Sequence, residues 1–199
     1  MKKITYRIEQ DSLGKVKVPK NALYGAQTQR AIDNFKISGD IFPPEFIESL
    51  AALKAACAMA NAKSKLLSIK KAKTIYSSAM DIHRNIEKYY DQFPIDIYQT
   101  GSGTSSNMNA NEVIASLATK YAKVKVGPND DVNMSQSSND VIPTAIKVSA
   151  HMDLTKKLFP KLDELIETID KKAESLKGTI NTGITNLIYA IQIYFAEEF

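Results

Sequence analysis

Between residues 145 and 176, apolar side chains recur at helical spacing: Ala145, Val148, Met152, Leu158, Leu162, Leu165, Ile169 and Leu176. A helix of that length with one apolar face cannot bury the face alone; it needs partner helices. The chain is therefore constrained towards an α-rich, multi-helix fold. Pro160 falls inside the run and predicts a kink or split there. The same periodicity appears upstream. Pro43-Pro44-Glu45 opens a helix, with proline in the first turn and then an acid. Its Phe46, Leu50, Leu53, Cys57 and Ala60 share a face, and it should run to about Leu67. A second helix is predicted over 71–90 on Ile75, Ala79, Ile82, Ile86 and Tyr89, before the break at Phe93-Pro94. The first forty residues read differently. Tyr6-Arg-Ile-Glu and Val16-Lys-Val18 alternate on either side of Gly14, which predicts a short hairpin or two extended pieces. A turn at 19–21 and a short helix over 22–35 come next. Thr179-Ile-Asn-Thr-Gly reads as a turn. The apolar run over 187–199 reads as a piece of core, too short to span a membrane.

Composition narrows the function classes. With 199 residues, 44% of them hydrophobic, the chain can build one domain core, or one plus part of another. A net charge of +4 with dispersed lysines and no basic stripe argues against nucleic-acid binding. The lysines between 63 and 73 read as a solvated corner. Cys57 is the only cysteine, which excludes an intrachain disulfide and a cysteine metal cluster, and its Ala-rich setting suits a small core residue. His83 and His151 lack metal-site spacing. Met1-Lys-Lys runs straight into Ile4-Thr-Tyr-Arg with no apolar signal core, so a cytoplasmic protein with no membrane partner is expected.

Two uncharged stretches interrupt the helical pattern. Thr100-Gly-Ser-Gly-Thr-Ser-Ser-Asn-Met-Asn-Ala-Asn precedes a helix starting near Ser106 and running to Tyr121. Ser135-Gln-Ser-Ser-Asn-Asp precedes one starting near 141–143, with Asp140 as its expected N-cap. Hydroxyls and amides donate hydrogen bonds, glycine lets backbone N–H groups approach a ligand, and helix N-termini attract anions. Together the stretches could hold a small polar anion. The same composition suits two solvated loops that cap the helices after them.

The wording of these stretches goes further. Residues 100–112, then Pro128-Asn-Asp-Asp-Val-Asn-Met-Ser-Gln-Ser-Ser-Asn-Asp140 and Pro143-Thr-Ala, closely resemble class II fumarase of the fumarase/aspartase superfamily. So do Arg7-Ile-Glu-Gln-Asp, Val18-Pro, Tyr24-Gly-Ala-Gln-Thr-Gln-Arg30 and Asn34-Phe-Lys-Ile-Ser-Gly39. The likeness covers nearly the whole chain in register, as an N-terminal portion of the family's pattern. It implies a mainly α fold: an α-rich N-terminal lyase domain over 1–140 with a short β hairpin, and over 141–199 the first long helix of the family's central helical bundle, truncated. It also implies a homotetramer and no cofactor or metal.

The family's reaction is the reversible addition of water to fumarate, giving (S)-malate in the tricarboxylic acid cycle. Two carboxylates must be held, a base must remove the C3 proton, and a second group must handle water on the other face. By resemblance, Ser102, Gly103, Thr104, Ser137, Ser138, Asn139 and Thr185 bind the dicarboxylate. Gly127, Pro128, Asn129 and Asp130 match an accessory dicarboxylate site whose first residue is usually histidine. In Thr182-Gly-Ile-Thr-Asn-Leu-Ile-Tyr-Ala190 the family has arginine at Ile184, histidine at Asn186 and aspartate at Tyr189, and it has proline at Gln192. That histidine is a principal catalytic group, and asparagine cannot exchange a proton near neutral pH. The family's flexible Gly-Ser-Ser-x-Met-Pro-x-Lys-x-Asn loop is absent, and each family site uses three subunits. The expectation is ancestry in class II fumarase with no useful hydratase activity in this chain. The alternatives are an aspartase-type ammonia lyase and a non-catalytic fragment that associates with an intact homologue.

Overall fold

The computed structural model describes residues 5–185 and 189–198. They fall into two compact units, Met1–Ala150 and His151–Phe199.

The first unit opens with an antiparallel hairpin, β1 (Tyr6–Asp11) and β2 (Gly14–Pro19), in register Tyr6↔Pro19 to Asp11↔Gly14. Gly14 turns it at φ 110°, a conformation that side chains rarely adopt. Two arginines fasten the hairpin to the segment after it. Arg7 donates to the carbonyls of Pro19, Ala22 and Tyr24 at 2.7–2.8 Å. Arg30, on helix α1 (Ala26–Asn34), forms a two-pronged pair with Asp11 at 2.8 and 3.0 Å.

Helices α2 (Pro44–Lys63), α3 (Ile69–Arg84) and α4 (Thr104–Ala122) enclose the core. Helix α2 starts at the expected prolines and buries Phe46 and Leu50 as predicted, but further along it the buried face rotates away from Leu53, Cys57 and Ala60. Leu50, Ala51, Lys54, Ala55 and Ala58 are buried, Cys57 is half-buried and Ala60 is exposed. Alanine at the contact lets α3 approach closely, and that approach sets the rotation. Helix α3 stops at Arg84, short of the predicted Tyr90. The Asn85 side chain folds back onto Asp81, and Tyr89 donates its hydroxyl to the same carboxylate at 2.5 Å. Two short 3-10 turns, Ile86–Lys88 and Tyr90–Gln92, replace the last helical turns.

Helix α5 (Ser138–Asp153) begins three residues before the predicted start. Ser137 is the residue that caps it. Its hydroxyl accepts from the Asn139 N–H at 3.2 Å and its carbonyl from Val141 at 2.9 Å. This leaves Asp140 in the first turn, where a negative charge is favoured.

In the second unit, the turns Leu154–Leu158 are wound as a π-helix just ahead of Pro160, and α6 (Phe159–Ser175) comes next. Proline cannot donate to the carbonyl four residues back, and the widened turn absorbs the defect. The predicted turn at 179–183 is instead strand β3 (Ile180–Thr185). It pairs antiparallel with β4 (Tyr189–Tyr194) from Ile180↔Tyr194 to Thr185↔Tyr189. Strand-forming residues in both segments, Ile180, Thr182 and Ile184 in the first and Tyr189, Ile191 and Ile193 in the second, outweighed the glycine in the turn reading. Among the described residues no helix is long and apolar enough to cross a membrane.

Candidate active site

The N-termini of α4 and α5 bring the two uncharged stretches together. Thr104 Oγ1 lies 3.0 Å from Ser138 Oγ, Ser102 Oγ lies 2.9 Å from Thr104 Oγ1, and Ser102 Oγ lies 3.4 Å from Ser138 Oγ. Three hydroxyls, drawn from positions up to 36 apart in the chain, thus form a triangle. Gly103 makes the juxtaposition possible. It holds φ 67°, and a Cβ there would meet Ile142 Cγ1 and Cγ2 at 3.0 Å. Beside the triangle opens a hollow of about 490 Å³, bounded by Phe42, Gln99, Thr100, Ser102, Asn139 and Ile142 among others, and no described residue lining it is charged. Pro143 also lines it and, lacking an N–H, leaves the Asn139 carbonyl without its helical donor.

The backbone of the first stretch contributes less than a bare helix N-terminus would. Ser106 N–H donates to Gln99 Oε1 at 2.9 Å and Ser105 N–H to Thr100 Oγ1 at 3.3 Å, so side chains already occupy two of the α4 end groups. Gln99 is held in turn by the Asp96 carbonyl and the Ser106 hydroxyl. The donors left for a ligand are mainly the hydroxyls.

The second stretch rests on three buried polar side chains. Asn133, Met134, Ser135 and Gln136 form a tight turn in which Ser135 holds φ 58°. Lys54 Nζ, on α2, donates to Asn133 Oδ1 at 3.1 Å and to Gln136 Oε1 at 2.9 Å. Asn61, two turns further along α2, donates to the Met134 carbonyl, and Asn107 of α4 donates to Asn133 Oδ1. Lys54 is 0% exposed, and no carboxylate pairs with it among the described residues. Burial pulls its ammonium down to about 7, with the nearby Cys57 thiol pulling the other way. Burial raises the Cys57 thiol.

Of the positions singled out in the sequence, Ser102, Thr104 and Ser138 meet directly. Gly103 sets the close approach, Ser137 caps α5, and Asn139 lines the hollow. Pro128, Asn129 and Asp130 belong to a separate turn, Pro128–Val132, which comes directly after Gly127 and shares no lining residue with the hollow. Asp131 holds that turn by accepting from Gly127 N–H at 2.8 Å and pairing with Lys71 at 2.8 Å; Lys71 therefore leaves the solvated corner assigned to it. Thr185 stands in β3, and Asn186 lies outside the described residues. Sequence reasoning passed over Lys54, Asn107 and Gln99. The signal available for Lys54 was a charge in register with Leu50, Ala58 and Asn61 on a buried helix face. Among the described residues no three His, Cys, Asp or Glu side chains cluster closely enough to hold a metal ion.

A family model described as Lyase matches residues 14–199. The chain belongs to this lyase family. A class II fumarate hydratase of Xylella fastidiosa is 52% identical over 194 residues, covering 98% of this chain and 41% of that protein. Its namesake in Mycobacterium tuberculosis is 47% identical over 194 residues, covering 98% and 40%. Among solved structures, the class II fumarase of Schistosoma mansoni matches with a TM-score of 0.93 at 36% identity, over 98% of this chain and 42% of that one. A fumarate lyase:delta crystallin of Brucella melitensis matches at 0.89 and 38% identity, over 98% and 46%. The lyase chain thus spans about two fifths of the length of the curated relatives it matches.

Proposed function

We propose that this chain carries a carboxylate-holding portion of a fumarate hydratase, an enzyme that reversibly adds water to fumarate to give (S)-malate in the cytoplasm. One observation supports the reading above the rest: the hydroxyls of Ser102, Thr104 and Ser138 meet beside an uncharged hollow. Neutral hydroxyl donors bind a carboxylate without placing a rival charge beside it. Gly103, Ser137 and Asn139 complete the substrate set of the first unit, the resemblance assigns Thr185 to substrate binding as well, and Gly127, Pro128, Asn129 and Asp130 form the accessory dicarboxylate turn. The hollow offers no side chain able to exchange a proton near neutral pH, and Asn186 cannot replace a histidine. The 199-residue chain therefore binds dicarboxylate without hydrating it. The exposed Leu158, Phe159, Leu162, Leu165 and Ile166 of the second unit, each 43–56% accessible, favour association with further copies, as in a homotetramer.

Calorimetric titration of the purified chain with fumarate and with unreactive succinate tests binding. Fumarate absorbance, monitored in water and then with ammonium, tests turnover. The expected result is saturable binding of both acids, weakened about tenfold by Ser138→Ala through loss of one hydrogen bond to a charged group, with fumarate unconsumed. Fumarate loss in water alone would overturn the inactive reading. Loss that requires ammonium would move the assignment to an aspartase-type ammonia lyase. Absence of binding would overturn the site.

A further inference from the structure

A lysine ammonium with no access to water and no carboxylate partner is costly to keep. Lys54 is such a group, and both of its acceptors lie in one four-residue turn. They flank Ser135, whose left-handed backbone at φ 58° is unfavourable for any residue with a Cβ. Gln136, the second acceptor, is bonded directly to Ser137, the cap of α5, and Ser138 is next in the chain. A bond to a charged donor is roughly twice as strong as a neutral one, so Lys54 dominates the anchoring of this turn over the neutral contacts from Asn61 and Asn107.

We infer that Lys54 is a positioning residue: by clamping Asn133 and Gln136 on either side of Ser135 it fixes where Ser137 and Ser138 stand, and so builds the second half of the dicarboxylate site from beneath. The inference rests on the dicarboxylate reading for its purpose but not for its geometry. Lys54 touches neither the hydroxyl triangle nor the hollow. Its charge lies under the stretch that supplies Ser138 and adds a buried positive charge to a site whose lining is neutral. Cys57, one turn along α2, is the titratable group whose charge acts on it, and Asp140 of α5 acts on Cys57 in turn.

Hydrogen–deuterium exchange across residues 133–139, read by mass spectrometry, tests the clamp, and calorimetry with succinate tests its consequence. In Lys54→Met the stretch should exchange about tenfold faster while α3 and the hairpin keep their protection, and succinate affinity should fall by a similar factor. Lys54→Arg, which keeps the charge and the donors, should recover both. In the unmodified chain, openings of 133–139 that leave Lys54 buried should become more frequent as pH rises through about 7, where the ammonium loses its proton. Exchange corrected for its intrinsic pH dependence should therefore accelerate, whereas global unfolding, which releases Lys54 to water, slows over the same range. Lys54→Met should lack that inflection. Unchanged exchange in Lys54→Met, or no inflection in the unmodified chain, would overturn the inference. Should the methionine variant not fold, the pH profile of the unmodified chain decides alone. A chain that binds no succinate yet shows the inflection keeps the clamp and discards the dicarboxylate reading.

Discussion

Helix α1 has no cap of its own. Gly25 precedes it without a side chain, and its first turn contains no acid. Glu112, in the middle of α4 and 7% exposed, supplies the cap from another helix. Its Oε2 accepts from Gly25 N–H at 2.8 Å, Thr28 N–H at 3.1 Å and Thr28 Oγ1 at 2.6 Å, and its Oε1 accepts from Gln27 N–H at 3.0 Å. Glu112→Gln keeps the shape. One amide oxygen can serve the three donors at Oε2, but the amide nitrogen then faces the Gln27 N–H, and the charge at the α1 N-terminus is lost. One charge-assisted bond and the dipole interaction together come to about 2 kcal/mol. Glu112→Ala removes every acceptor and leaves the N–H groups of Gly25 and Thr28 buried and unpaired, which costs about 4 kcal/mol. For a chain of this length, each kcal/mol lowers Tm by roughly 2–4 °C. Thermal melts monitored by circular dichroism should therefore show falls of about 4–8 °C for the glutamine variant and about twice that for alanine. A cycle with Thr28→Val isolates the 2.6 Å contact and should give a coupling of about 1 kcal/mol. If Glu112→Ala costs under about 1 kcal/mol, α1 is being capped by something other than this carboxylate and the reasoning fails.

Gly103→Ala should both strain the backbone and push a methyl into Ile142, so it should weaken succinate binding and lower Tm by several degrees; calorimetry and melts read both. Asp96 is pushed up by burial, but the N–H groups of Gly39, Tyr98 and Ser38 and the Ser38 hydroxyl outweigh this and hold its carboxyl well below the usual range. Its folded-state value is depressed, so its stabilisation is present above the ordinary carboxylate value and lost as pH falls below it. Asp96→Asn should be less stable at neutral pH and should show a shallower loss of stability in acid than the unmodified chain. Lys54 has a linkage of the same sign in a higher pH window, because its folded-state value is depressed too. Between its folded value of about 7 and the usual 10.5 the unfolded chain binds the extra proton, so stability should rise with pH across that window. Urea unfolding at about pH 7 and 9 should show a gain of about 2 kcal/mol that Lys54→Met lacks.

Much of the architecture was legible because it depends on near neighbours. The hairpin arises from alternation around Gly14, α2 from Pro43 and Pro44, and α4 and α5 from uncharged stretches that end in helical periodicity. Ser102, Thr104 and Ser138 could be named from their words, although only the fold shows that they touch. What stayed hidden were charges whose partners lie far along the chain. Lys54 finds Gln136 82 positions away, Glu112 reaches Gly25 across 87, and Asp96 gathers Ile37, Ser38 and Gly39 from 57–59. A pattern that ranks residues by hydropathy places all three on the surface, whereas each is buried because backbone or amide groups from a distant segment surround it. The predicted turn at 179–183 failed for the reverse reason, since a local glycine signal was overridden by pairing with a strand not yet in view.

The remote cap on α1 also bears on the order in which the chain acquires structure. Nine residues of helix without a cap are marginal in water, and the carboxylate that completes them is made some 84–87 residues later. Closing so long a loop is slow compared with forming α2 and α3, which are neighbours in the chain. On a growing chain α1 therefore lacks its cap until α4 has been synthesised, and it settles after α2 and α3 have formed.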